Sequence, residues 1–257
     1  MNTLSISGKN WILKEYNPDD LVFFKENFSL DEITSKLLSI RKIKKEEINS
    51  FLNPSIKSFL PNPNDLIDMV KTTSRSLKII REKEKIGIFG DYDVDGATST
   101  ALLGNYFTEL NLDYEVYIPD RKKDGYGPSI KSFEQLINKN VKVIFTVDCG
   151  TLSFDAIKYA KEKKVDVIVL DHHQSEIKLP SAFSVVNPNR IDDKSNLQYL
   201  CAAGVAFMFL VSLNRELRSL DWFKKNNIKE PNLIALLDLV ALGTVCDAVP
   251  LKGLNRI

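Results

Sequence analysis

The rhythm of apolar and polar positions changes once along this 257-residue chain. Residues 1–64 are polar and read as mostly helical. Within them, Ser29-Leu30-Asp31-Glu32 offers a helix start, and Leu37, Leu38, Ile40 and Ile43 follow as a rough apolar face. Asn53-Pro54 and the cluster Pro61-Asn62-Pro63-Asn64 break that pattern. From Asp65 a further helix is predicted, with Leu66, Met69, Val70, Leu77 and Ile80 at helical spacing. Short β-rich runs come next, at 85–89, 114–118, 141–147 and 165–170, separated by helical patterns at 98–110, 129–138 and 154–163. A short strand at 183–186 and helices at 202–217 and 231–242 complete the reading. Strand and helix alternating at these lengths predict βαβ crossovers and a mostly parallel sheet flanked by helices. Several runs are apolar at nearly every position, as strands covered on both faces must be. The expected fold class is α/β, with a helical N-terminal extension over 1–64 and the sheet domain over 65–257.

Composition removes several classes of protein. With 44% hydrophobic and 27% charged residues the chain can bury a real core, and wholesale disorder is excluded. Thirty-five basic against thirty-four acidic residues leave a net charge of +1. Polyanion binding then has to come from a local site, not from the field of the whole molecule. The longest apolar stretch, 233–245, is interrupted by Asp238 and Gly243 and falls short of the roughly 20 residues a membrane span needs. No basic segment followed by an apolar run opens the sequence, so no secretory signal is expected. Cys149, Cys201 and Cys246 are odd in number and too widely spaced for a CxxC knuckle. They are expected to be small packed residues in a reducing compartment. A soluble cytoplasmic protein is the expectation.

In an open parallel sheet, ligands gather beyond the carboxyl ends of the strands. The first run is followed by Gly90-Asp91-Tyr92-Asp93-Val94-Asp95-Gly96, the third by Asp148-Cys149-Gly150 and the fourth by Asp171-His172-His173. Carboxylates and both histidines thus converge on one edge, the pattern of a metal site. Asp91-x-Asp93-x-Asp95-Gly96 also matches the first half of a calcium EF-hand loop. That reading fails, because the twelfth position is Leu102 where a bidentate Glu is needed, and a strand precedes the loop. On extended backbone, Asp93 and Asp95 point the same way about 6–7 Å apart, each able to hold one of two metals with Asp148 bridging. Two cations about 3.5–4 Å apart suit phosphoester hydrolysis: one side activates water and both withdraw charge from the phosphoryl oxygens. Adjacent histidines on extended backbone project to opposite sides, so His172 is assigned to the metal and His173 to the phosphate or to proton donation. Mixed Asp and His donors favour manganese or magnesium over a thiolate-preferring structural zinc. Each aspartate singly would also suit a helix cap, as in Asp95-Gly96-Ala97-Thr98; the convergence of all of them needs more than capping.

Arg121, which precedes a Gly-rich turn, and Tyr126, within it, are candidate substrate contacts, while Lys122 and Lys123 read as a solvated face. Gly204, near a helix start, could bring backbone N–H groups to a phosphate, although close helix packing explains it equally well. Phe207, Phe209 and Trp222 read as core and not as base-stacking platforms.

The segments Asp91-Tyr92-Asp93-Val94-Asp95-Gly96, Asp148-Cys149-Gly150, Asp171-His172-His173 and Gly243-Thr244-Val245-Cys246-Asp247-Ala248-Val249-Pro250-Leu251 resemble the four motifs of the DHH phosphoesterases. The RecJ-like branch of single-strand-specific exonucleases is the nearest. Phe51-Leu52-Asn53-Pro54, Tyr117-Ile118-Pro119-Asp120-Arg121, Gly125-Tyr126-Gly127, Asn187-Pro188-Asn189-Arg190 and Ala203-Gly204-Val205-Ala206-Phe207 extend the likeness from Phe51 to the end. The resemblance implies two manganese or magnesium ions, one held by Asp93 and Asp148, the other by Asp95, Asp148, His172 and Asp247. It implies that Asp91 and Asp171 support these ligands by hydrogen bonding, and that His173 and Asp148 take part in catalysis. Hydrolysis of single-stranded DNA from the 5′ end to mononucleotides is the implied activity, in repair and recombination, with a helicase or single-strand-binding protein as a possible further partner and no membrane.

RecJ-like proteins continue into a DHH-associated domain and an OB-type domain. No GGGH-like motif and no OB-like run of strands follows Asp247, so both domains are expected to be absent from this chain. Two other functions compete. One is an oligoribonucleotidase or nucleoside bisphosphate phosphatase of the same superfamily, which would prefer a dinucleotide to a long strand. The other is a non-catalytic module that binds a repair or replication partner and need not hold two ions. Tyr92 and the Phe51–Pro54 segment tilt towards the exonuclease, and the full set of candidate ligands counts against the scaffold.

Overall fold

The computed structural model describes residues 4–257; residues 1–3, part of the opening read above for a leader, lie outside the described residues. The chain divides into two compact units, Met1–Phe59 and Leu60–Ile257. The first holds α1 (Pro18–Phe28), α2 (Glu32–Ile40), α3 (Ile48–Leu52) and α4 (Ile56–Phe59). Asp31 caps α2 by accepting from the Thr34 N–H at 2.9 Å. Asn17 does the same for α1, accepting from the Asp19 N–H at 3.0 Å. Phe24, Leu38 and Ile48 form the buried centre of this unit.

The division falls between Phe59 and Leu60 and not after Asn64, for a physical reason. The Pro/Asn cluster is no linker: Pro63 is buried, and the Asn64 side chain accepts a hydrogen bond from the Ser212 hydroxyl at 3.0 Å. The second unit runs through α5 (Met69–Glu82), β1 (Ile86–Gly90), α6 (Val94–Glu109), β2 (Tyr114–Tyr117), α7 (Ile130–Ile137), β3 (Val143–Val147) and α8 (Phe154–Glu162). It continues with β4 (Asp166–Leu170), β5 (Ser184–Val186), α9 (Ala202–Ser219), α10 (Trp222–Lys225) and α11 (Leu237–Cys246). All five strands pair in parallel, in the order β2-β1-β3-β4-β5.

The continuous apolar runs are explained by the two faces of this sheet. Ile86, Ile88, Val143, Phe145, Val147, Ile168, Leu170 and Val186 join the core shared with α5, α6 and α9. Their alternating neighbours, Phe89, Ile144, Val167, Val169 and Val185, join the core shared with α7 and α8. Each such side chain contributes roughly 1.5–3 kcal/mol when fully buried, so the sheet is a stiff frame for whatever its ends carry. From β1 the chain crosses to β2 on one side and comes back to β3 on the other. The crevice of an open sheet lies at that reversal, beyond the carboxyl ends of β1 and β3.

Two helices are displaced from their expected bounds, both towards the chemistry. α6 begins at Val94, not residue 98, because Asp93 caps it by accepting from the Gly96 N–H at 3.0 Å. The last long helix starts at Leu237 because Asn232 holds Leu233–Leu236 as a 3₁₀ turn, and it runs on to Cys246. Phe207 and Phe209 are buried, and Trp222 packs half-buried against the same core. Cys149 and Cys201 are buried and unpaired, but Cys246, expected to be packed, is exposed. α11 buries only Gly243 and Thr244, and the two residues that follow them, Val245 and Cys246, are exposed. Among the described residues no helix is long and apolar enough to cross a membrane.

Candidate metal centre

Three aspartates stand in a row because strand register puts them there. Gly90 pairs with Val147, and Val147 with Leu170, so the residues that follow are aligned. Their N–H groups carry the ladder one rung further. Asp91 donates to the Val147 carbonyl at 3.3 Å, Asp148 to Leu170 at 3.1 Å and Asp171 to Val186 at 3.1 Å. All three side chains are buried. Asp148 has φ +61°, in the left-handed region that Asp tolerates better than most residues, and this turns the chain sharply off the sheet.

The Asp-rich turn is not extended, and the alternation expected of it is absent. Asp93 is the N-cap of α6 and Asp95 lies within its first turn, so the two carboxylates diverge. Gly96 permits this: a Cβ there would lie 2.4 Å from the Asp91 carbonyl oxygen. Asp93 is exposed, whereas Asp95 is buried and accepts from the Ala202 N–H at 2.6 Å and the Ala203 N–H at 2.9 Å, both at the start of α9.

The histidines also depart from expectation. Asp171 Oδ1 accepts from the His172 N–H at 2.7 Å and the His173 N–H at 3.2 Å, curling the segment into a turn. The two rings therefore lie 4.8 Å apart on the same side and not on opposite ones. His172 Nε2 is 3.3 Å from Asp148 Oδ1, 3.7 Å from Asp95 Oδ2 and 3.6 Å from Asp247 Oδ2. His173 Nδ1 is 2.8 Å from Asp171 Oδ1, and its Nε2 is 3.2 Å from the Tyr126 hydroxyl. Asn187 and Asn189, given no role by sequence reasoning, hold the backbone here. The Asn187 amide donates to the His173 carbonyl at 2.8 Å and to Thr151 Oγ1 at 2.9 Å, and the Asn189 amide donates to the His172 carbonyl.

Three overlapping groups of donor atoms result, each gathered within 4.8 Å: Asp91, Asp93 and Asp148; Asp148, His172 and His173; Asp95, His172 and Asp247. Asp148 belongs to two of them. Burial first, then Asp95 and Asp93, push its carboxyl up to about 10, and burial likewise raises Asp91 and Asp95. Asp171 moves the other way. Burial opposes its ionisation, but hydrogen bonds from His173 and Thr151 prevail and hold it below the usual carboxylate range. Asp171 in turn raises His173.

Both Asp148 oxygens, Asp91 Oδ1 and His172 Nε2 are buried with no hydrogen-bond partner among the described residues. Groups left unmet in this way cost about 1–3 kcal/mol each, and a divalent cation among them would offset that. Carboxylate oxygens and imidazole nitrogen, without thiolate, are a donor set that fits manganese or magnesium.

Asp247 reaches the centre from the C-cap of α11. An acid at a helix C-terminus opposes the dipole, a misfit that becomes visible only once the helix is seen to run on to Cys246 and not to end at residue 242. Arg121 lies on an exposed turn, its guanidinium 5.3 Å from the centre of the Tyr92 ring, and Tyr126 packs edge-on to the same ring. Beside Tyr126 and His173 a cavity of about 790 Å³ opens, walled by Ile130, Thr151 and Leu152. Gly204 is buried in the first turn of α9, and a Cβ there would lie 3.2 Å from Leu200. Close packing is enough to require a glycine there.

Residues 85–244 match the model of the DHH family, N-terminal domain. The chain belongs to the DHH family. Asp171-His172-His173 spells the name of this DHH chain, and it is the segment that curls both imidazoles around Asp148. The chain is 40% identical over 207 residues to the single-stranded-DNA-specific exonuclease RecJ of Haemophilus influenzae, covering 80% of this chain and 36% of that protein. To RecJ of Bacillus subtilis it is 32% identical over 252 residues, covering 98% of this chain and 30% of the relative. It thus spans about a third of the length of these curated relatives. A crystal structure of exonuclease RecJ bound to manganese is similar with a TM-score of 0.62 at 30% identity, over 74% of this DHH chain and 46% of the other. RecJ from Thermus thermophilus in complex with Mn²⁺ shares the fold, with a TM-score of 0.71 at 24% identity over 95% of this chain and 33% of that one.

Proposed function

We propose that this chain carries the metal-dependent phosphodiesterase core of a RecJ-type exonuclease, acting on single-stranded DNA from the 5′ end to give mononucleotides in repair and recombination. One observation carries the reading: buried carboxylate and imidazole atoms with no hydrogen-bond partner among the described residues are concentrated around Asp148. Asp93 and Asp148 would hold one divalent cation, with the unpartnered Asp91 Oδ1 in the same group; Asp95, Asp148, His172 and Asp247 would hold the other. Manganese or magnesium bound there would activate water and neutralise charge on the phosphoryl oxygens.

The chain's own residues supply position and protons. Asp148, common to two donor groups, ties them together. Asp171 orients both histidines through their N–H groups and keeps His173 protonated to higher pH. His173, exposed beside Tyr126, then has a proton at Nε2 to offer a phosphate oxygen or a leaving group. Arg121 and Tyr126 are the proposed contacts to the strand. The names of the relatives support single-stranded DNA as the substrate. Further partners would be proteins that expose or coat it, a helicase or a single-strand-binding protein. Three unpaired cysteines support a reducing, cytoplasmic setting.

Manganese-dependent release of mononucleotides from 5′- and 3′-labelled single strands tests this, with Asp148→Ala as control. Release that begins at the 5′ end and is lost in the variant supports the proposal. Hydrolysis that survives Asp148→Ala, or a strong preference for a dinucleotide over a long strand, overturns it.

A further inference from the structure

Asp95 is held from two sides. On one, the first two N–H groups of α9 donate to its two oxygens, Ala202 to Oδ2 at 2.6 Å and Ala203 to Oδ1 at 2.9 Å. α9 is 18 residues long, and its N-cap residue Cys201 makes no side-chain capping bond. Asp95 therefore fills that role from a different helix, where the positive end of the dipole favours a carboxylate. On the other side stands Gly243 of α11. A Cβ at Gly243 would lie 2.7 Å from Asp95 Oδ1, 2.8 Å from Thr98 Oγ1 and 2.9 Å from Ala203 Cβ. Gly243 is not among the glycines with positive φ, so its helical backbone conformation would accept residues that carry a Cβ. Space alone requires glycine there, and the nearest atom in that space is the oxygen of Asp95.

We propose that Gly243 and the N-terminus of α9 form a socket that sets the direction of the Asp95 carboxylate, making them positioning groups for one of the two cations; the inference rests on the two-ion reading above. With one lone pair of each oxygen engaged by an amide, the remaining ones are fixed in direction, and Oδ2 lies 3.7 Å from His172 Nε2. A carboxylate pushed out of the socket loses its amides, its aim towards His172, or both. α11 contributes twice: Asp247 follows Gly243 by about one helical turn and belongs to the same donor group as Asp95. The helix that shapes the socket thus also delivers a donor to the ion that the socket serves.

Two variants disturb the socket by different routes. Gly243→Ala places a Cβ against Asp95 Oδ1. Ala202→Pro removes one donating N–H at the first helical position, where proline is tolerated. The preceding Cys201 is already extended, at φ −78° and ψ 172°, as a residue before proline should be. Each variant and the unaltered chain are titrated with manganese by calorimetry, with melting followed separately. The unaltered chain is expected to bind two ions. Each variant is expected to fold, to keep one ion at parental affinity and to bind the other about 10- to 100-fold more weakly. A loss confined to one ion is a change that a general packing defect would not produce. If only one variant folds, its titration decides. Two parental affinities in the folded variants overturn the proposal. So does failure of both to fold, which would make the socket a packing element only. An unaltered chain that binds no manganese overturns the two-ion reading itself, and this inference with it.

Discussion

Asp148→Asn is predicted to stabilise the metal-free chain while removing its capacity for two ions. Both Asp148 oxygens are buried and unpartnered, and burial together with Asp95 and Asp93 pushes the carboxyl from 3.8 up to about 10. The unfolded chain ionises this group near 3.8, whereas the metal-free folded chain keeps the proton until about 10. Folding stability therefore falls as pH rises between those two values. At about 1.4 kcal/mol per pH unit, the penalty accumulated by neutral pH has an upper figure of about 4 kcal/mol. Relief of one unmet buried group contributes about 1–3 kcal/mol in practice, and that range is the expected gain. Asparagine tolerates the left-handed backbone at φ +61°, and its amide can donate to the carboxylates that crowd it. At about 2–4 °C per kcal/mol, the variant in chelator should melt roughly 2–12 °C above the parent at neutral pH. The difference should shrink towards pH 4 and widen towards pH 8. Added manganese should raise the melting temperature of the parent and leave the variant nearly unmoved. A melting series in chelator across that pH range measures the effect. A variant less stable than the parent at neutral pH, or a difference indifferent to pH, contradicts the desolvation argument.

His173→Ala should lower the hydrolysis rate by about 10²- to 10⁴-fold while calorimetry still finds two manganese ions; loss of an ion would make His173 a ligand. Asn187→Ala removes the bonds to the His173 carbonyl and Thr151 Oγ1. It should cost about 1–3 kcal/mol in a denaturant titration and weaken manganese binding, and a variant unchanged in both would show that the Asn187 bonds are dispensable. Gly96→Ala forces a Cβ to within 2.4 Å of the Asp91 carbonyl oxygen. The turn has to move, so manganese affinity should fall at the donor group of Asp91, Asp93 and Asp148, and unchanged affinity would mean that the turn is not what holds that group.

The sheet was legible because burial on both faces leaves a mark in the sequence: Ile86–Gly90 and Val143–Val147 are buried at every position. The convergence of Asp91, Asp148 and Asp171 followed from strand ends alone. Direction was not legible. Period-two alternation assumes extended backbone, and Gly96 lets α6 begin inside the motif, so Asp93 and Asp95 part company. Asp171 likewise bends the histidine pair through hydrogen bonds that no spacing announces. The exposure of Cys246 is hidden in the sequence because, Asp238 apart, α11 carries apolar residues around its whole circumference and so gives no sign of the face that turns to solvent. Gly204 lies near a helix start and faces Leu200, whereas the glycine whose missing Cβ faces a candidate ligand is Gly243. That distinction exists only once α6, α9 and α11 have met.

The most decisive single measurement is anomalous diffraction at the manganese edge from crystals of this chain grown with manganese. Two peaks about 3.5–4 Å apart are predicted, one beside Asp91 and Asp93, the other beside Asp95, His172 and Asp247, with Asp148 touching both. No peak among these residues, or a single peak with Asp148 bound to it alone, would contradict the shared two-ion centre.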